Sequence, residues 1–196
     1  LLIVFCIIAI ISAAALPQLI ASRRLVRSAA IPRQILAEMR LARQQAITQQ
    51  RAFTVQYDDV NKQIIVINHQ ASGAALLDDP NYPNTAGSVQ DRVIALSGSG
   101  LDPAEIIYGI PKTLPATARG SLDDGVARSK LSNNQVSVTF QPNGSVVDRN
   151  GNPANEALFL YNSNDPDNTA FAISILGAAG RVKTWIYSSS ANKYVE

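Results

Sequence analysis

An α+β fold, with one long N-terminal helix followed by an antiparallel β head, is what three features of this sequence predict. The first sixteen residues, Leu1 to Leu16, carry no charge. The stretch from Gln18 to about Gln50 keeps its apolar residues at helical spacing. After Arg51 the apolar period falls to two, and Gly, Pro, Asn and Asp punctuate the chain. A run of helix followed by a run of strands is the α+β pattern. The chain divides into an apolar helix over 1–20, an amphipathic helix over 21–50 and a β-rich head over 51–196, with no internal repeat.

The apolar run ends at Pro17, and Arg23, Arg24 and Arg27 follow it. A run of this length crosses most of a bilayer, where roughly 20 residues are needed. A secretory signal peptide would use Ala13-Ala14-Ala15 as its small-residue site. Such peptides carry their positive charge before the apolar run, however, and here it comes after. A single-span anchor would put the arginines on the cytoplasmic side. Within the amphipathic part, Leu25, Ala29, Leu36, Met39, Ala46 and Ile47 form one stripe, and Val26, Ala30, Ala37 and Leu41 a weaker second. Two stripes imply a helix touching its own head on one side and neighbours on the other. Arg43 interrupts the first stripe, so it must snorkel or pair. Pro32 lacks an N–H to donate, which predicts a bend just before it.

In the head, Ala52–Tyr57 and Gln63–Ile67 flank an Asp58-Asp59-Val60-Asn61 turn and read as a hairpin. Residues 92–96, 105–108, 136–140, 144–147, 157–161, 170–175 and 181–187 are further strand candidates. Residues 70–91 and 111–134 read as long irregular insertions.

Chemistry is sparse. The net charge of +2 divides into a basic stem, where Glu38 alone opposes the arginines, and an acidic head. That asymmetry suits lateral packing of copies of one chain, and a solvated helix face is the plain alternative. Cys6 and His69 are each the sole residue of their type, so there is no intrachain disulfide and no Cys/His metal cluster, and no cofactor is expected. No nucleophile–base pair can be assembled, and an enzyme is not expected. Ser97-Gly98-Ser99-Gly100 lacks the Lys-Ser/Thr of a phosphate loop and reads as a turn.

The run from Leu1-Leu2-Ile3-Val4 to Ala15-Leu16-Pro17 resembles the N-terminus of type IV pilins and pseudopilins. Those chains begin with a Phe-Thr-Leu-Ile-Glu-type sequence leading into Leu-Leu, and carry a proline at the end of the apolar part. This sequence starts at the Leu-Leu, so the resemblance implies a few residues before it, among them the assembly glutamate and the methylated first residue. Leu41-Ala42-Arg43-Gln44-Gln45-Ala46-Ile47, Val138–Ser145 and Ile173-Ser174-Ile175 with Gly177 to Lys183 resemble segments of the GspH/FimT group within that superfamily. The likeness spans 1–68 and 135–187.

What the resemblance implies is a structural subunit of a type IV pilus or pilus-like extracellular filament. It would be held in the inner membrane, handed to the assembly machinery there and polymerised with copies of itself. Assembly would run through Leu1, Leu2, Ile3, Val4, Phe5, Ile7, Ile8, Ile10, Ile11, Leu16 and Pro17, with the helix loosening over Ser12–Pro17. The alternatives are a minor pseudopilin of type II secretion and a DNA-uptake pilin. For the last, Gly180-Arg181-Val182-Lys183 is similar to a Gly-Arg-x-Arg element by which FimT-like pilins contact DNA, with Lys183 in place of the second arginine. Arg181, Lys183 and Trp185 alternate along a strand and so share a face, which makes them the candidate DNA contacts. The plain alternative is an exposed hairpin face. The oxygen-rich loop Asn162–Asn168 matches the place where some pseudopilins hold calcium, although Asp and Asn are also ordinary turn residues.

Overall fold

A computed structural model describes residues 26–96 and 102–196. The assembly candidates Leu1 to Pro17, the expected loosening at Ser12–Pro17 and the Ser97–Gly100 turn all lie outside the described residues. Residues 26–28 are helical, a turn intervenes at Ala29, and helix α1 runs over Ala30–Gln49. The interruption falls where Pro32 was expected to disturb the axis. It places Pro32 in the first turn of α1, where a missing N–H has no carbonyl to serve. At the other end Gln50 adopts a left-handed conformation (φ 53°) and returns its N–H to the Ala46 carbonyl.

Two antiparallel sheets wrap the helix. Sheet A has the order β3-β2-β1-β5, built from Phe53–Asp58 (β1), Gln63–Asn68 (β2), Val89–Ala95 (β3) and Gln135–Phe140 (β5). Sheet B has the order β4-β6-β7-β8-β9, from Ile106–Tyr108 (β4), Glu156–Asn162 (β6), Phe171–Leu176 (β7), Arg181–Ser188 (β8) and Lys193–Val195 (β9). The hairpin pairs Phe53 with Asn68 and Asp58 with Gln63. Asp58 holds its tight turn by accepting from Val60 N, Asn61 N, Asn61 Nδ2 and Gln63 Nε2. Burial pushes the Asp58 carboxyl up, but these hydrogen bonds outweigh it and the pKa is lowered. Residues 144–147, expected as a strand, contribute only isolated bridges, Phe140 with Val146 and Val147 with Pro153. The short β9 was not anticipated.

Both sheets put one face on a common core with α1. From the helix come Ile31, Ile35, Met39, Ala42 and Ala46, at spacings of four, four, three and four. This corrects the expected stripes. Met39 and Ala46 are buried as expected and Leu36 partly so, while Ala29 is exposed and Ile47 is 38% exposed. The expected stripe ran obliquely across two faces of one helix, because small and large apolar residues were weighted alike. The second stripe is outward: Val26 is 73% and Leu41 39% exposed, and Ala30 and Ala37 are exposed as well.

The two insertions are lids. Residues 111–127, with a 3-10 turn at Ala116–Arg119, lay Leu114, Ala118, Leu122 and Val126 over the outer face of sheet B. There they meet Phe159, Ala172, Trp185, Tyr187 and Tyr194. Residues 70–88, with a one-turn helix α2 at Ala74–Leu77, lie against the outer face of sheet A. That face is polar. Thr54, buried completely, meets His69 Nε2 at 2.7 Å and the Thr139 hydroxyl at 2.6 Å, and the Tyr82 hydroxyl reaches the same Thr139 at 2.6 Å. Burial holds the His69 pKa down to about 4, so the ring is neutral at physiological pH.

Candidate functional site

Three sequence segments, one on the helix and two on hairpin turns, meet at a single junction. Arg43 leaves the side of α1 and donates from Nε to the Gly144 carbonyl (3.2 Å) and from Nη2 to the Ala179 carbonyl (2.9 Å). The residue that broke the apolar stripe thus pairs, and its partners are the backbones of two turns far away in sequence. Glycines let these turns approach so closely. A Cβ on Gly180 (φ +57°) would sit 1.7 Å from the Gly144 carbonyl oxygen, and one on Gly177 would sit 2.2 Å from the Ala154 carbonyl oxygen. Gly144 (φ +79°) is closed in by Ile47, 2.7 Å from where its Cβ would be. The turns are tied to each other by Val146 N donating to the Gly177 carbonyl at 2.8 Å. Helix, sheet A and sheet B are therefore locked at one point, and guanidinium–carbonyl bonds of this kind are the stronger class.

Beside this junction lies an open groove of about 680 Å³, lined by Arg40, Arg43, Gln44, Thr48, Gly180 and Arg181 among others. Three arginines and no carboxylate give it a positive character. The candidate DNA contacts are placed as follows. Arg181 is on the groove wall with its side chain 62% exposed. Lys183 is on the same strand face but only 16% exposed; its ammonium is paired with Glu196, which also lies 3.8 Å from Arg181. The ammonium sits 5.1 Å from the centre of the Trp185 ring. Trp185 is 4% exposed beneath the apolar lid and donates its indole N–H to Ser174 Oγ at 2.8 Å. Lys183 and Trp185 lie on one face of the strand, but Trp185, offered as a candidate DNA contact, is buried there: alternation fixes a face, and the 111–127 lid decides that this part of it is interior. Sequence reasoning missed Glu196 as the partner of both cations and Arg40 as the groove's far wall.

The side-chain oxygens of the Asn162–Asn168 loop are engaged in local hydrogen bonds. Asn162 Oδ1 accepts from Asn164 N, Asp165 Oδ1 from Asn168 Nδ2, and Asp167 Oδ1 from the Thr113 hydroxyl. Among the described residues, no group of three or more His, Cys, Asp or Glu side chains is placed to hold a metal ion. Among the same residues, no helix is long and apolar enough to cross a membrane.

Two solved structures are similar to this chain, both crystal forms of the Pseudomonas aeruginosa type IV minor pilin FimU. One has 19% identity and a TM-score of 0.46, over 85% of this chain and 91% of that one. The other has 18% identity and a TM-score of 0.44, over 85% and 96%. No curated protein matches the chain in sequence. The family model described as "Type II transport protein GspH" matches residues 32–179, a span that holds all but the first two residues of α1, together with Arg43, the Gly144 turn and Gly177. That is most of the sequence, and the chain belongs to the GspH family of type IV pilin-like proteins.

Proposed function

We propose that this chain is a structural subunit of a type IV pilus or pilus-like filament and polymerises through its N-terminal helix. The observation that carries this reading is the division of α1 into two faces. One face, through Ile31, Ile35, Met39, Ala42 and Ala46, is sealed on the head at 0–3% exposure. The other leaves Ala37, Arg40, Leu41, Gln44 and Ile47 uncovered, on a helix whose sequence continues upstream into the uncharged run Leu1–Leu16. An apolar helix leaves lipid only where other apolar helices replace the lipid. The head is then a rigid body that the Arg43 junction holds at a fixed angle to the stem. The assembled filament would lie at the cell surface, drawn from an inner-membrane pool, and the reading assigns the chain no reaction. The test is deletion of residues 1–16. The shortened chain is expected to stay folded and monomeric by sedimentation, while the full chain yields filaments. Filaments of unchanged diameter from the deletion would refute the reading.

The description of the matching family favours a second reading, a minor pseudopilin of type II secretion. Gold labelling of this subunit separates the two, because a repeating subunit labels along the filament and a minor one at the tip. The arginine-lined groove favours a further role, contact with a polyanion such as DNA through Arg40, Arg181 and Lys183. Its signature is a gel shift on the full chain that fades steeply with salt and is lost when the three are changed to Ala.

A further inference from the structure

A sheet face covered by chain is ordinarily apolar, because a buried amide or hydroxyl is costly unless it is paired. The outer face of sheet A departs from this where β1 and β5 pair, although β2 adds Ile65 and Ile67 to the same face. Thr54, Gln56 and Asp58 of β1 stand opposite Thr139, Ser137 and Gln135 of β5. Half of this face is closed off by the Thr54–His69–Thr139–Tyr82 network described above. The other half opens into a cavity of about 380 Å³, walled by the 78–83 loop on one side and by residues 130–137, Arg149 and Glu156 on the other. Its floor is built rather than incidental. Gln56 is 3% exposed, and its Nε2 donates to Gln135 Oε1 (3.0 Å) and Ser137 Oγ (3.3 Å). With the amide nitrogen so engaged, the amide oxygen of Gln56 is the acceptor left to a ligand.

We propose that this cavity binds a neutral saccharide of one or two pyranose rings. The volume falls at the lower end of the range for small-molecule sites, about 300–1,000 Å³. Its walls alternate donors and acceptors at short range. Lys130 and Arg149 donate, Asp79 and Glu156 accept, and the amide of Gln135 and hydroxyl of Ser137 do both. A ligand with a hydroxyl on nearly every carbon can satisfy such a wall, and an acyl chain cannot. The two cations stand against three carboxylates, Asp78, Asp79 and Glu156, so the cavity has no sign to select a phosphate or a polyanion. Pro80, Tyr82 and Pro83 supply the apolar strip on which the C–H face of a sugar ring can rest. The proposal stands independently of how the chain assembles.

The test is NMR titration of the full chain, held in a zwitterionic detergent without a sugar head group. The probes are glucose, galactose, mannose and N-acetylglucosamine, their β-linked disaccharides, and inorganic phosphate as a control. At least one sugar is expected to give saturable shifts confined to the amides of 78–83 and 132–137. Affinity should drop about tenfold or more in Gln135→Ala and in Arg149→Ala. Arg149 and Lys130 are both exposed, so Arg149→Ala and Lys130→Ala keep the test open if Gln135→Ala unfolds the head. The proposal is overturned if no sugar moves these amides at about 50 mM, if the variants titrate like the parent, or if phosphate saturates the same amides more tightly than any sugar.

Discussion

The two lids cover the outer faces of two sheets, and they differ in how much of the covered surface is polar. The 111–127 lid closes on rings and aliphatic groups: Phe159, Tyr187 and Tyr194 meet edge to face at 5.3 Å and 5.7 Å, and Trp185 lies beside them. The 70–88 lid buries Leu76 and Leu77, but over β1 and β5 it closes on hydroxyls and an imidazole, each of which needs a specific partner. An apolar lid gains stability in rough proportion to buried area. A polar lid gains little net free energy per hydrogen bond, about 1 kcal/mol, and loses more when one partner is removed. The comparison teaches that covering a sheet is not one event: sheet B is covered for stability, and the half-open polar face of sheet A is the one left with chemistry to offer.

The largest expected effect lies under the apolar lid. Trp185→Ala empties a buried indole site and should cost about 3–5 kcal/mol, read as a lowered midpoint in urea unfolding. A loss under about 1 kcal/mol would mean the lid is not packed as described. Next comes pH, which should act on the polar lid through His69. The folded pKa of His69, about 4, lies below the ordinary value of 6.5, so the unfolded chain binds the proton more readily between those values. The stabilisation is complete above pH 6.5 and is lost as pH falls toward 4, by about 3 kcal/mol in all. Unfolding midpoints measured across that window should slope downward on acidification, and His69→Gln should flatten the slope. The smallest effect is at the groove. Arg181 and Glu196 are largely exposed and Lys183 pairs with the same Glu196, so changing both cations to Ala should leave the urea midpoint nearly unchanged.

Much of this was legible in the sequence. Alternation in Phe53–Asp58 and Phe171–Leu176 announced strands, and the three GspH-like segments at Arg43, Gly144 and Gly177–Lys183 proved to be neighbours in space. Arg43 was visible as an anomaly on its stripe, though its partners were not, since Gly144 and Ala179 are contributed by turns 101 and 136 residues on. The lids were the least legible parts. Residues 111–134 are rich in turn formers, and although their four apolar anchors, Leu114, Ala118, Leu122 and Val126, recur every four residues, Pro115, Gly120 and Gly125 between them break any regular element. Trp185 was misjudged for the same reason, because a strand's own pattern does not say what covers it. Nor does the pattern separate Thr54 and Gln56, buried at 0% and 3%, from ordinary solvent-facing strand residues.

The central claim, that the head is fixed to a stem whose open face is met by other copies of this chain, is tested most directly by electron cryomicroscopy of the native filament. The account predicts a bundle of stems at the centre and heads outside. Ala37, Arg40, Leu41 and Gln44 should contact neighbouring subunits, Arg43 should still hold the Gly144 and Ala179 carbonyls, and the helix should open between Ser12 and Pro17. A filament in which that face of α1 meets only solvent, or in which the stems do not touch, would contradict it.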